Sequence, residues 1–471
     1  MSDSETREET PPGKATLDRL LALMAGPSFR PGARAVVAAA DAMIAFLDEK
    51  ISAQLSAVMH HPEFRKLESS WRSLEFLVDR IDFRQNILLS ILSVSKADLL
   101  ADFDDTPDIT FSGFYRHVYT SEYGQFGGHP IGVVVANYEF DASPPDIRLL
   151  SHAAAVAALA HAPFIAGVHQ RFFGLSRWAD FPGIRDLRAL FETPVYAQWR
   201  GFRASEDARY VALTLPRFLF RLPYDPATSA ASRFSFTEDT EDSEALCWGN
   251  TAFALAERMA DSFARYRWCV NIVGPEGGGV VENLPLYATR PSDMALREEK
   301  IPTEVLLSEQ REFELAEEGF VGLAMRKGEG NAVFFSASSC QAAHVYESED
   351  REAALSRKLG VQLPYMMIMN RLAHYIKVLQ RENLGTWRTR QTIEAELNRW
   401  LNQYVSEMDN PDPITRSRRP LRSARLSITE RPDNPSWFIV TIKARPHFKF
   451  MGANFTLSLT GKLDREPEDR R

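Results

Sequence analysis

The sequence predicts an α/β protein with amphipathic helices at its N-terminus and β-strands at its C-terminus. In the middle of the chain, β-branched apolar runs such as IGVVVANYEF and PFIAGV alternate with helical segments. Before them come two long stretches of helical periodicity, and the last part of the chain contains alternating runs such as SWFIVTIKARPHFKF. Strands that alternate with helices are typical of an α/β core, and alternating runs are typical of half-buried strands.

Composition narrows the functional class. The chain has 471 residues and a formal net charge of −8, which gives no support for nucleic-acid binding. The sequence contains no run of 18 apolar residues, so no membrane span is predicted. The polar start MSDSETREET lacks the pattern of a secretion signal. The three cysteines are odd in number and widely spaced, which favours a reducing compartment such as the cytoplasm.

The N-terminal helices are predicted from apolar spacing. Thr16 to Met24 is a short amphipathic helix, and a longer one runs from about Ala35 to His60. A third helix follows from His61 to Val78, with one apolar face. The short helix has apolar residues at i, i+3, i+4 and i+7, namely Leu17, Leu20, Leu21 and Met24. The long helix has a seam close to a heptad repeat that includes Leu47, Ile51, Leu55 and Val58.

The central segments are assigned by the same patterns. The sequence predicts strands at NILLSILSV, IGVVVANYEF, PFIAGV, RYVALTL, CVNIVG, TEVLLS and NAVFFSA. It predicts helices at PDIRLLSHAAAVAALAHA, CWGNTAFALAERMADSFARY, PYMMIMNRLAHYIKVLQREN and TIEAELNRWLNQYVSEM. The connector NPDPITRSRRP then leads to the terminal strands.

One terminal strand has apolar residues on both sides. Phe438, Val440 and Ile442 share one face, and Trp437, Ile439, Thr441 and Lys443 lie on the other, so neither face is polar throughout. A strand with this pattern is covered on both faces. It belongs either to the sheet of its own chain or to a sheet shared with a neighbouring protomer.

No catalytic or metal-binding motif emerges from the sequence. The loop GPEGGGVVENLP has valines where a phosphate-binding loop needs lysine and a hydroxyl, so a tight turn that needs positive φ is the better interpretation. No G-x-S-x-G or H-E-x-x-H motif is present. His374 lies among apolar residues, which favours a core or interface position. The sequence therefore predicts neither a cofactor nor an enzyme.

Seven segments in one order nevertheless form a specific pattern. They are HPEFRKLESSWRSLEFLV, SEYGQFGGHPIGVVVANYEF, WRGFRASEDARYVALTLPRFLFRLPY, GPEGGGVVENLP, IPTEVLLSEQREFELAEEGF, LPYMMIMNRLAHYIKVLQRENLG and LNRWLNQYV. Together they resemble the large sheath subunit of bacterial type VI secretion systems, the TssC/VipB family, from about His61 to Val405. Ser73 and Arg267 depart from the family pattern, which has glycine at both positions.

The resemblance implies a structural protomer with a phage-tail-sheath-like α/β core. Such a protomer pairs with a small sheath subunit (TssB/VipA-like) and polymerises with its own copies into a helical sheath. The sheath stands on a baseplate around an inner tube of hexameric rings (Hcp-like), contracts to propel effectors, and is recycled by an AAA+ ATPase (ClpV-like).

The resemblance also implies roles for particular residues. The helix with Leu17, Leu20, Leu21 and Met24 would be recognised by the ATPase, and the seam with Leu47, Ile51, Leu55 and Val58 would bind the small subunit. Inner-tube contacts would come from Glu309, Arg311, Glu312 and Glu314. Lattice-linking strands would contain Phe438, Val440 and Ile442.

The expected domains are residues 1–60 for partner and ATPase binding, residues 61–365 for the sheath core, and residues 366–471 for a C-terminal sheath domain. Two other functions stay open at this point. One is a sheath-associated adaptor that does not polymerise, and the other is an α/β enzyme with a nucleotide at the glycine loop.

Overall fold

The computed structural model of the protein describes residues 33–123, 125, 127–225, 234, 236–238, 246–289, 299–325, 330–343, 359–382, 390–408, 411–431, 434–447 and 457–462. The chain divides into two compact units. The first contains described residues from 1–68 and 221–247, and the second contains those from 69–220 and 248–471.

Helices and strands alternate along the described chain. The α-helices of six or more residues in the described ranges are α1 Ala33–Met59, α2 Pro62–Arg80, α3 Lys96–Asp104, α4 Pro144–Ala160, α5 Leu187–Glu192, α6 Ala197–Arg203, α7 Thr251–Tyr266, α8 Glu309–Glu317, α9 Leu363–Glu382, α10 Arg390–Leu401 and α11 Pro413–Arg418. The strands are β1 Val134–Phe140, β2 Phe164–Val168, β3 Val211–Leu215, β4 Phe218–Leu219, β5 Trp248–Gly249, β6 Val280–Val281, β7 Tyr287–Thr289, β8 Glu299–Ile301, β9 Phe320–Met325, β10 Ala332–Phe334, β11 Leu421–Arg431, β12 Asn434–Pro446 and β13 Leu457–Lys462.

The main sheet has six strands in the order β1-β2-β3-β9-β10-β6. Strands β1, β2, β3 and β9 run parallel, whereas β10 is antiparallel to both β9 and β6. Helix α4 connects the parallel strands β1 and β2. All residues of β2 and β3 are buried, which explains why their sequences are continuous apolar runs. The α/β prediction is confirmed.

Each face of the main sheet packs against its own hydrophobic core. One core is rich in aromatic rings, and the ring of Phe320 on β9 lies 5.3 Å from that of Phe172 and 5.5 Å from that of Trp199. The other core contains Ala252 and Leu255 of α7. The parallel strands of the main sheet are therefore enclosed on both sides, as parallel sheets require.

The C-terminal strands form a separate antiparallel sheet in the order β11-β12-β13. Its inner face shares a core with α9 and α10, in which Val440 and Ile442 are almost fully buried. Helix α10 packs along β11. The prediction of terminal strands is confirmed.

Three predicted strands are absent, and six observed strands were not predicted. The runs NILLSILSV, CVNIVG and TEVLLS form no strand, and β4 to β9 were not predicted as strands. Val270 and Ile272 are nevertheless buried, and so are Val305 and Leu307. Apolar periodicity reports burial, and an irregular buried segment gives the same signal as a short strand.

Candidate interaction surfaces

The apolar seam of α1 lies on the outside of the described structure. Leu47 is 50 % exposed, Ile51 47 %, Leu55 37 % and Val58 55 %. Among residues 40–59 of this helix, the buried ones are Ser56 and Met59. In soluble proteins generally, a contiguous patch of exposed apolar side chains marks an interaction site.

Helix α2 also turns apolar residues outward. Its predicted apolar face consists of residues three and four positions apart, namely Phe64, Leu67, Trp71, Leu74 and Val78, and all of these except Leu74 are exposed. The buried residues of α2 are instead Ser73 and Leu77. The Ser73 hydroxyl donates a hydrogen bond of 2.7 Å to the carbonyl of Ser69, so this buried polar group is satisfied within the helix.

The first unit contains a largely buried ionic network that was not predicted from the sequence. The Arg221 guanidinium donates to Glu68 Oε1 and to Glu238 Oε2, each at 2.6 Å. Glu238 also accepts a bond from the Tyr224 amide and lies 3.3 Å from His60 Nε2. Burial acts to lower the pKa of Arg221, but its hydrogen bonds to the two carboxylates outweigh this effect and raise the pKa. The network fixes a loop onto the helices of its own unit, and no local motif signals it.

Helix α8 carries the residues expected to contact an inner tube. Ser308 caps its N-terminus through a bond from the Arg311 amide. Glu309 is exposed. The Arg311 side chain donates to Glu314 Oε2 at 2.9 Å and to the carbonyl of Ile184, so both Arg311 and Glu314 are already engaged within the chain.

Glu312 differs from Glu309 in its surroundings. Its side chain is buried and accepts hydrogen bonds from the Ser336 amide at 3.1 Å and from the Ser336 hydroxyl at 2.5 Å. Burial raises the pKa of Glu312 against the opposing effect of these bonds. Glu312 lies three residues before the buried Leu315 and shares the inward face of the helix, and its contact with an inner tube stays a prediction.

Strand β12, which contains Phe438, Val440 and Ile442, lies in the middle of its sheet. Val440 pairs with Ile428 of β11 on one side and with Gly461 of β13 on the other. Ile442 likewise pairs with Leu426 and Leu459. Both edges of β12 are therefore occupied by strands of its own chain, which is the alternative that the sequence left open.

The outer edge of β11 is covered by side chains of α10. Asn398 accepts a bond of 2.9 Å from the Leu426 amide and donates one of 2.8 Å to the Leu426 carbonyl. Glu394 accepts a bond from the Ile428 amide at 3.3 Å. The remaining outer edge, that of β13, has no strand partner among the described residues.

The glycine loop is a structural turn. Gly274 and Gly278 have φ values of +79° and +89°, which only glycine adopts without strain. The Gly274 amide donates to the Phe334 carbonyl at 2.7 Å, and the Phe334 amide donates to Gly279, so the loop is bonded to β10. The described part of the chain contains no group of three or more side chains that could hold a metal ion.

The predicted ATPase-recognition helix with Leu17, Leu20, Leu21 and Met24 lies outside the described residues. No helix in the described ranges is long and apolar enough to cross a membrane.

Comparison with known proteins identifies the family of the chain. Residues 41–341 match the family model EvpB/VC_A0108, tail sheath N-terminal domain, and residues 352–463 match the EvpB/VC_A0108 tail sheath gpW/gp25-like domain. The type VI secretion system sheath protein TssC1 of Pseudomonas aeruginosa PAO1 is 38% identical over 432 residues, which cover 90% of this chain and 85% of TssC1. The chain belongs to the type VI tail sheath family.

Solved structures with some likeness to this type VI sheath subunit include three from contractile tails. A sheath tail protein of Desulfitobacterium hafniense is 9% identical with a TM-score of 0.32, over 69% of this chain and 56% of that protein. A chain of the anti-feeding prophage baseplate is 10% identical with a TM-score of 0.33, over 82% of each chain. A chain of the helical sheath of the same prophage in its contracted state is 9% identical with a TM-score of 0.32, over 78% of this chain and 74% of that chain.

Family membership settles the functional class. The protein is a sheath subunit of a type VI secretion system, and its family is structural rather than enzymatic. The two family models meet between residues 341 and 352, whereas the sequence predicted a boundary at 365. The predicted division into three domains stays a prediction.

Proposed function

We propose that the chain pairs with a small sheath subunit in the bacterial cytoplasm and polymerises with its own copies into a helical sheath. The sheath surrounds an inner tube of hexameric rings on a baseplate, and its contraction drives the tube and its effectors outward. The observation that carries this proposal is the exposed seam of α1, because an apolar stripe of this length needs a partner to cover it.

The small subunit binds the seam formed by Leu47, Ile51, Leu55 and Val58. Burial of each of these side chains at the interface would contribute about 1.5–3 kcal/mol to binding at most. Each side chain is at least one-third exposed in the chain alone, so it has surface left to bury. A stripe spaced three and four residues apart suits an apolar helix or groove on the partner.

Links between protomers form through the C-terminal sheet. The proposal assigns this role to the outer edge of β13, because β12 is paired on both sides and β11 is bonded to α10. A strand from a neighbouring protomer would add there by backbone hydrogen bonds, which depend little on side-chain identity. Phe438, Val440 and Ile442 then support the link from within the sheet.

The inner tube contacts α8 through its exposed charges, with Glu309 as the main candidate. Arg311 and Glu314 are hydrogen-bonded to each other, so they are less available than Glu309 for a contact with another protein. Exposed charge pairs contribute about 0–1 kcal/mol each, which suits a contact that must release on contraction. The ATPase recognises the helix with Leu17, Leu20, Leu21 and Met24 after contraction.

A double substitution tests the seam. Ile51→Asp with Leu55→Asp places two charges on the seam and should abolish the complex with the small subunit on gel filtration. The control is Ala53→Asp with Ala57→Asp, which adds the same charge to exposed positions elsewhere on α1. A normal heterodimer from the seam variant would reject the assignment, as would equal loss in both variants.

A non-polymerising adaptor is the alternative function. It would also bind the small subunit, so heterodimer formation does not separate the two. Tubes visible by electron microscopy separate them, because an adaptor yields only soluble complexes.

A further inference from the structure

The C-terminal sheet has two different faces. Its inner face is apolar and packs against α9 and α10. Side chains alternate between the two faces of a strand, so the neighbours of the buried residues Leu426, Val440 and Ile442 point to the other side. On β11 and β12 this outer face consists of exposed or half-buried residues, namely Ser423, Arg425, Ser427, Thr429, Ile439, Thr441, Lys443 and Arg445. The outer face is therefore accessible.

The charged side chains of the outer face are all positive. Arg425 lies directly opposite Lys443. Arg445 lies opposite Ser423, in the next row of the same face. None of these three cations has an ion-pair partner within the described ranges, and Arg445 Nε is buried without a hydrogen-bond partner. The whole chain has a formal net charge of −8, so this face is opposite in sign to the molecule.

This arrangement of charges costs stability. Like charges directly opposite each other on a sheet destabilise it, and Arg425 and Lys443 form such a pair. Protection of a free edge does not explain Lys443, because β12 is the central strand of its sheet. An anionic partner would turn the two neighbouring cations from a source of repulsion into a source of binding energy.

Hydroxyl groups accompany the cations on this face. Ser427 pairs with Thr441 in the row that follows Arg425, and Thr429 comes next on β11. Serine and threonine hydroxyls can donate hydrogen bonds to carboxylates and add no negative charge that would repel them. Side-chain carboxylates of a protein segment therefore match this face in both charge and hydrogen bonding.

The chain itself contains a segment with the matching charge. Residues 239–244 read DTEDSE, and no lysine or arginine occurs from residue 234 to residue 257. Outside residues 237–244, no six consecutive residues combine four acidic side chains with the absence of lysine and arginine. Residues 239–245 lie outside the described residues. Copies of the chain surround one another in the proposed sheath, so a neighbouring copy presents this segment at high local concentration.

We propose that the outer face of the C-terminal sheet binds the acidic segment 239–244 of a second copy of the chain. Arg425 and Lys443 contact its carboxylates, and Arg445 extends the positive surface. This inference rests on the proposed polymerisation and identifies a contact between protomers that depends on charge rather than on backbone pairing. Salt screens exposed charges, so the contact weakens as the ionic strength rises.

Charge reversal tests the face in the full chain co-expressed with the small subunit. Arg425→Glu with Lys443→Glu should leave the heterodimer intact on gel filtration and lower the yield of sedimentable tubes by about tenfold, because like charges then meet. The control is Arg399→Glu with Arg419→Glu, which reverses two exposed arginines outside both strands and should leave the yield unchanged. Tubes at the wild-type yield from the face variant would overturn this inference and leave the proposed function intact. A wild-type pair that forms no tubes would overturn both.

A charge swap tests the acidic segment. Glu241→Lys with Asp242→Lys should lower the tube yield by itself. The yield should recover when these two substitutions are combined in one chain with Arg425→Glu and Lys443→Glu, because each copy then offers the reversed pair to its neighbour. No recovery in the combined variant would overturn the assignment of residues 239–244 to this face.

Stability separates binding from a purely structural role. Lys443→Gln removes the repulsion from Arg425, so the chain alone should have an equal or higher Tm while the co-expressed pair yields fewer tubes. A structural role for Lys443 would lower the Tm and the tube yield together, and that result would contradict the proposal.

Discussion

His161 and His374 pack against the C-terminal end of α4. His374 Nε2 lies 2.9 Å from the Ala160 carbonyl, and the Lys377 ammonium donates to the Leu159 carbonyl at 3.2 Å. Burial lowers the pKa of His161 to about 3 and that of His374 to about 4, and the nearby Lys377 charge acts in the same direction. Both imidazoles are therefore neutral in the folded protein at neutral pH.

This pair predicts acid destabilisation. Below about pH 6.5 the unfolded chain binds protons at both histidines, whereas the folded chain does not until about pH 4. The free energy of unfolding should therefore fall between pH 6.5 and pH 4 and show no dependence on these groups above pH 6.5. Urea unfolding at pH 7.5 and pH 5.0 measures the difference.

The matched variant is His161→Asn with His374→Gln. Asparagine tolerates the positive φ of residue 161, and glutamine keeps a donor for the Ala160 carbonyl. This variant should lose less stability than the wild type between the two pH values. An unchanged loss would show that other groups dominate the acid response.

Residue-level prediction succeeded where backbone geometry dictates the residue and failed where a partner in space does. The positive φ of Gly274 and Gly278 follows from local sequence. Glu309 and Glu312 look alike in sequence, yet one is exposed and the other is buried against Ser336. Arg267 has a φ of +68° at the end of α7, a conformation that favours glycine, and its guanidinium donates to the Gln85 carbonyl.

At the scale of elements, periodicity located most helices and strands but not what covers them. The apolar spacing of α1 and α2 predicted both helices closely. The exposure of their apolar seams could not be predicted, because the pattern of a core-facing stripe is the same as that of a partner-facing stripe. The run NILLSILSV shows the same limit, since it has the composition of a buried strand and is exposed in this chain.

The central position of β12 makes an element-level prediction. Val440→Pro removes a backbone donor from the middle of the sheet and leaves a carbonyl opposite it unpaired, which costs about 1–3 kcal/mol. We expect a lower Tm and faster proteolysis of residues 421–462. The control Val440→Ala keeps the backbone N–H donor and should be cleaved more slowly than the proline variant. Wild-type stability of the proline variant would contradict the paired position of β12.

At the scale of the whole molecule, the chain combines an enclosed α/β core with surfaces that suit other chains. The core buries its parallel strands on both faces, and the C-terminal sheet is closed by α9 and α10. The seam of α1 and residues 87–93 stay apolar and exposed. A well-packed interior combined with exposed apolar surfaces is what we expect of a subunit that buries these surfaces in an assembly.

Electron microscopy of the chain co-expressed with its small sheath subunit tests the central claim most directly. We predict hollow tubes of uniform diameter from the co-expressed pair and no tubes from the chain alone, because the exposed surfaces need the small subunit before protomers can stack. Soluble complexes that never form tubes, under conditions in which the heterodimer is intact on gel filtration, would contradict the account.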